Sequence, residues 1–155
     1  SLKPVKEFQL EILQYFLFSN ASLKRSVFNA IKLFDEQFTS YGGEDTDLAI
    51  RIWETIPNSL RFSQSAVSEN HGEENFENFC IKMFKYGETN LHLLIKKYPI
   101  YKNELGAQYI HSIIGYLIFN PIIRHMVKFL RLILDVYYLQ RYVVIDSVIR
   151  GARTN

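Results

Sequence analysis

Cysteine, tryptophan and methionine are scarce in this chain of 155 residues: one, one and two, with four prolines. The lone Cys80 excludes an intrachain disulfide framework and any metal cluster built on paired cysteines. A single thiol fits a reducing compartment, so a cytoplasmic location is expected. The chain opens on Ser1 with no basic-then-apolar leader, and no signal peptide is visible. Repeats of 20–50 residues and low-complexity tracts are lacking too. A large charge of one sign is also missing. The net charge of +2 gives no bulk reason to expect nucleic acid as a partner.

Apolar residues, by contrast, make up 48% of the chain, with 12 Phe and 10 Tyr. That content predicts a folded domain with a buried core. The charge is unevenly spread. Residues 1–104 hold 12 basic and 14 acidic side chains, and residues 105–155 hold 6 and 2, so a slightly acidic body precedes a tail of +4. We therefore place a domain boundary at 104/105.

Apolar spacing gives a coarse map. Tyr15 to Phe18 reads as a short buried strand or a helix. Asn20 to Arg25 reads as a turn into a short helix, with Ser22 or Ser26 as caps. Leu48 with Ile52 and Ala49 with Trp53 form an i,i+4 stripe over Thr46–Thr55, which puts Trp53 in the core. Leu60 to Val67 alternates roughly, as a strand would. Helices are predicted over Phe76–Tyr86, stopped by Gly87, and over Asn90–Lys97, closed by Pro99. A strong helical stripe runs from Tyr109 to Ile118, Asn120-Pro121 starts a new helix, and Ile122 to Arg150 continues as a long apolar and basic one.

The densest chemistry lies in Tyr41-Gly-Gly-Glu-Asp-Thr-Asp-Leu48. Gly42 and Gly43 form a flexible turn that delivers Glu44, Asp45 and Asp47 to the first turn of a helix. An acid there has an ordinary use as an N-cap, worth ~0.5–2 kcal/mol. Capping needs one acid, and here there are three. The same helix end favours the ionised carboxylate, which suits a general base.

Order and spacing carry a resemblance. Asn20-Ala-Ser-Leu-Lys-Arg25, Phe34-Asp-Glu36, the Gly-Gly-Glu-Asp segment with Arg51, then His71-Gly72, Lys85-Tyr86-Gly87 and Lys97-Tyr98-Pro99 resemble the acceptor-side, C-terminal half of family two inverting glycosyltransferases with the GT-A fold. The resemblance covers residues 16–100 well and the tail loosely. It implies an α/β fragment, mostly helical, with an amphipathic helical tail. It implies transfer of a sugar, with inversion, from a nucleotide-sugar donor to a glycan or lipid-linked hydroxyl acceptor, as in polysaccharide biosynthesis. Asp45 would be the general base, Glu44 would position the acceptor, and Gly42, Gly43 and Asp47 would support them. A divalent metal, Mn or Mg, is implied on the donor diphosphate, with His71 as a ligand among oxygens.

Asp45-Thr-Asp47 has the form of a metal-holding Asp-x-Asp, but it follows Gly-Gly and opens a helix, so it belongs to the acceptor motif. No such motif follows a strand in the 40 residues upstream. The expectation is a piece of a longer enzyme, inactive without its donor-binding half. One departure stands at Ile31-Lys32-Leu33, where the family often has glycines before Phe-Asp-Glu. His92, His111 and His125 fall on helix patterns, as packing or surface residues. A calcium loop at 44–47 lacks its later oxygen ligands.

Ala107 to Ile123 contains no Asp, Glu, Lys or Arg. It falls short of the ~20 apolar residues of a spanning helix. Arg124, Lys128, Arg131 and Arg141 among Ile, Leu and Tyr fit a helix lying on an anionic membrane surface, or a helical pair packed on the rest of the enzyme. A non-catalytic helical interaction or membrane-docking module, whose Gly-Gly-Glu-Asp is only a cap, is the alternative to the enzyme.

Overall fold

The computed structural model describes residues 3–4, 20–56, 59, 61–63, 65–69, 75–134 and 136–154. Two units divide the chain: residues 1–38 with 43–72, and residues 39–42 with 73–155. The composition change at residue 105 falls inside the second unit.

In the first unit, β1 (Lys3–Pro4) pairs antiparallel with β2 (Arg61–Phe62), Lys3 opposite Phe62 and Pro4 opposite Arg61. The strand predicted over Leu60–Val67 is thus realised for two residues, and this pair is the whole sheet content among the described residues. The reading of Tyr15–Phe18 lies outside them. Helix α1 (Arg25–Ile31) starts from Lys24 without a side-chain cap, so neither Ser22 nor Ser26 caps it. Helix α2 (Glu44–Thr55) begins at Glu44, two residues before the predicted Thr46. Its apolar stripe closes on α1: Leu48 and Ile52 bury against Ile31, with Leu23, Val27 and Trp53 packed around them. Trp53 is therefore a packing residue, as its place on the stripe predicts.

The second unit is helical. Helix α3 (Phe76–Glu88) is capped by Asn75, whose side chain accepts from the Glu77 amide at 3.0 Å. Gly87 is not its stop, because the helix runs through it to Glu88. A Cβ on Gly87 would stand 2.0 Å from the Val148 carbonyl oxygen, so the missing side chain lets a second backbone approach. That backbone belongs to α7 (Tyr137–Ala152), where Gly151 meets the Phe84 carbonyl in the same way. Helix α4 (Asn90–Lys97) follows and leads into a 3₁₀ turn at Pro99–Tyr101.

The long helical stripe predicted from Tyr109 is divided. A 3₁₀ turn (Ala107–Tyr109) precedes α5 (Ile113–Ile118), which is capped by the Ser112 hydroxyl. The reason lies in Arg153: its guanidinium donates to the carbonyls of Ile110, Phe119 and Tyr109 at 2.6, 3.0 and 3.1 Å, and holds that segment bent. Asn120 caps α6 (Pro121–Ile133), as the Asn-Pro pair predicts. The run expected to reach Arg150 breaks between Ile133 and Tyr137. Across that break Arg124 of α6 grips buried Asp146 of α7 through two hydrogen bonds, of 2.6 and 3.1 Å. Cys80, Val127 and Val143 form the apolar contact of α3, α6 and α7.

Candidate functional site

Gly43 has φ +97°, in the left-handed region, and is the N-cap of α2. Glycine reaches that conformation without the steric cost a side chain would add. Having no side chain, it provides no cap, so none of the three acids is the N-cap of α2. Glu44 and Asp45 are the first two helical residues, and Asp47 lies one position further than a cap reaches.

The three acids have separate fates. Asp47 is fully buried, and its Oδ2 accepts from Arg51 Nε at 2.8 Å, one helical turn on. The same guanidinium donates to the carbonyls of Ile31 (2.7 Å), Lys32 (3.3 Å) and Leu33 (2.9 Å). Asp47 is therefore bound to an arginine rather than capping the helix. It orients an arginine that fixes the loop leading to Phe34-Asp-Glu36. Within that loop Lys32 has φ 62° and ψ 169°, a backbone region in which side chains are strained and glycine is at ease. It is the stretch where the resemblance expected glycine, and the chain reaches a glycine-like turn without one.

Glu44 and Asp45 are half-buried in the first turn, at the positive end of the helix. The Glu44 Oε2 atom is buried and has no hydrogen-bond partner. A buried acceptor left without a donor is uncommon in folded chains and costs about 1–3 kcal/mol. Two other polar side chains of this unit do have partners. Asp35 Oδ1 accepts from the Gln37 amide at 3.0 Å, and Asn20 donates to the Ala66 carbonyl at 3.1 Å.

The approach to the glycine turn is held within the second unit by a residue that sequence reasoning missed. Asn90, buried at the start of α4, donates through Nδ2 to the carbonyls of Ser40 (2.9 Å) and Gly42 (2.6 Å). Lys82 stands 5.0 Å from the ring centre of Tyr41. Gly42 is also left-handed, at φ +77°. The one sequence signal for Asn90 was a polar amide followed by Leu91 and Leu94, both buried.

His71 and Gly72 lie outside the described residues. Among the described residues no three His, Cys, Asp or Glu side chains converge on a point that suits a metal ion. The described acids therefore do not build a metal shell, and Asp47 is committed to Arg51. His92 bonds the Ala152 carbonyl and His125 the Pro121 carbonyl, at 3.0 and 2.6 Å, which makes both structural. A cavity of about 300 Å³ in the second unit, lined by Phe76, Phe79, Tyr137 and Arg141, is mainly apolar.

A family model described as the N-terminal domain of galactosyltransferase matches residues 5–71. The matched stretch contains Asn20-Ala-Ser, Phe34-Asp-Glu36 and the whole Gly-Gly-Glu-Asp segment. It supports glycosyl transfer as the class of activity. No curated protein and no solved structure matches the chain.

Proposed function

We propose that residues 20–56 form the acceptor-activating corner of an inverting, GT-A type glycosyltransferase of the family two kind, with Asp45 as its general base. Asp45 removes the proton from an acceptor hydroxyl while that oxygen attacks the anomeric carbon of a nucleotide-sugar. The new glycosidic bond forms as the bond to the diphosphate breaks, and the diphosphate leaves with the electron pair. Attack from the face opposite the leaving group inverts the anomeric centre.

The observation that carries this reading is the buried, unpartnered Oε2 of Glu44 beside Asp45. A hydroxyl donated by a bound sugar satisfies that acceptor and brings the same acceptor molecule to the neighbouring base. The Asp47–Arg51 pair supports the reading from behind, because it takes one acid out of the chemistry and fixes the loop before Asp35. A divalent Mn or Mg ion on the diphosphate accords with this chemistry. In this chain His71 is the residue proposed to touch it, and the steps above are derived without it.

Asp45→Asn in the full-length protein tests the assignment. The exchange keeps size and most hydrogen bonding but removes the base, so sugar transfer should fall ~10²–10⁴-fold. An Asp45→Asn protein that melts like wild type and still transfers sugar at near-normal rates sinks the proposal.

A further inference from the structure

α6 meets the rest of its unit with two of its three faces. Ile123 and Val127 pack toward α7, and Arg124 and Arg131 reach Asp146 and Glu77. The third face is apolar and uncovered. Ile122, Met126, Phe129 and Ile133 follow one another at i, i+4, i+7 and i+11, and all are exposed, Ile122 to 82%. The uncovered surface continues in sequence on both sides. On α5 Ile113 is 79% exposed, with Leu117 also open, and Tyr137 and Tyr138 stand exposed at the start of α7. An apolar patch of this extent on a folded surface marks a contact site.

Charge decides what the contact is. From residue 105 to residue 134 the chain has no Asp or Glu. Among the described residues from 105 to 154 the one acid is Asp146, buried and paired with Arg124. Lys128 and His125 are exposed along one border of the apolar stripe. An apolar stripe on a helix that has no acid of its own, with an exposed lysine at its border and tyrosines nearby, is the pattern of a helix that lies in the headgroup layer of an anionic bilayer. Depth is limited by length. With 13 residues, α6 is about 20 Å long, against a hydrocarbon core of ~30 Å. No helix among the described residues is long and apolar enough to cross a membrane.

We infer that the exposed face of α5 and α6 docks the chain, parallel to the surface, on membranes rich in anionic lipid. The inference is independent of the assignment of Asp45.

The test is flotation of the chain with vesicles. One set is phosphatidylcholine alone and the other contains about 30% phosphatidylserine. Wild type should float with the anionic vesicles at about 0.05 M salt and be largely released at about 0.5 M. Ile122→Ser with Phe129→Ser should lower the bound fraction about tenfold or more. Lys128→Gln should lower it roughly fivefold on anionic vesicles and leave the neutral set unchanged. All the exchanged side chains are exposed, so unchanged circular dichroism and melting should show that the variants fold. No flotation of wild type at low salt overturns the inference. So does equal recovery on neutral vesicles, or a double variant that floats like wild type. A wild type that sediments as a dimer, with a monomeric double variant and no flotation in either, assigns the face to a second copy instead and also overturns it.

Discussion

Arg51 and Asp47 are joined at 2.8 Å across one turn of α2, and the remaining guanidinium nitrogens collect three successive carbonyls, from Ile31 at the end of α1 and from Lys32 and Leu33 in the loop after it. A single planar group thus joins two helices and a loop. The second unit repeats the device, with Arg153 gathering the carbonyls of Tyr109, Ile110 and Phe119 and lying 4.1 Å from the Tyr116 ring centre. Arginine suits this work because its five donors are spread in one rigid fork.

Removing the fork from the first unit should therefore cost more than a surface ion pair does. Arg51→Met removes the guanidinium from the buried Asp47 carboxylate and releases the carbonyls of Ile31, Lys32 and Leu33. Loss of one member of a buried pair costs ~3–5 kcal/mol. Urea unfolding should show a loss of that order, whereas exchange of the exposed Glu54 should change stability little. Equal effects of the two substitutions would mean that the pair does not organise the unit.

Lys32 is the point of strain in that loop, and relief of strain should be measurable. Its φ of 62° with ψ of 169° belongs to a region that is essentially glycine's, at a cost of ~1–3 kcal/mol for other residues. Lys32→Gly should raise the melting temperature despite the greater freedom of glycine in the unfolded chain. Lys32→Val, branched at Cβ, should lower it. A lower melting temperature for Lys32→Gly contradicts the strain.

The pair Gly87 and Gly151 makes a second structural prediction. Each has the other helix's carbonyl oxygen where its Cβ would stand, at 2.0 Å in both cases. The neighbour in each case is backbone, so no side chain can rotate away. Gly87→Ala and Gly151→Ala should each destabilise by at least about 1–3 kcal/mol in chemical denaturation. The double variant should cost less than the sum, since one separation of α3 from α7 relieves both clashes. Strict additivity argues against a shared contact.

Much of this was legible in the sequence, and the reasons differ by element. The helix carrying Glu44 and Asp45 could be read from the spacing of Leu48 and Ile52, because one apolar stripe faces one core. Asn120-Pro121 could be read because a cap and a fixed φ are local properties. The break between Tyr109 and Ile113 could not, since it depends on Arg153, more than 40 residues away in the chain. Gly87 misled for a related reason: a glycine near a helix end has the same local signature whether it stops the helix or admits a neighbour. The division of labour among the three acids was partly visible. Arg51 stood four residues after Asp47, the spacing of an intrahelical pair, but burial alone distinguishes a structural pair from a solvated one.

Alkaline pH should weaken the second unit through two groups. Burial among Val127 and Val143 pushes the Cys80 thiol above its ordinary 9.0, against the opposing pull of a hydrogen bond with Ser147. Burial, helped by the Asp146 carboxylate, pushes the Tyr142 phenol above 10.0. Both groups are neutral when protonated, and both hold their protons more tightly folded than unfolded. Above about pH 9 the unfolded chain therefore binds fewer protons than the folded one, so stability falls as pH rises. Below that value both contributions are complete and stability does not depend on them. Tyr142 adds a direct loss, because the phenolate can no longer donate to the Ile118 carbonyl, now 2.8 Å away. Urea unfolding midpoints should be flat for these groups from neutral pH to about 9 and decline beyond. Cys80→Ser and Tyr142→Phe should flatten that decline, each in its own part of the range. At neutral pH the native thiol should react with an alkylating reagent far more slowly than the thiol of the urea-unfolded chain. Equal alkylation rates in the two states would show that Cys80 is not buried in the contact of α3, α6 and α7.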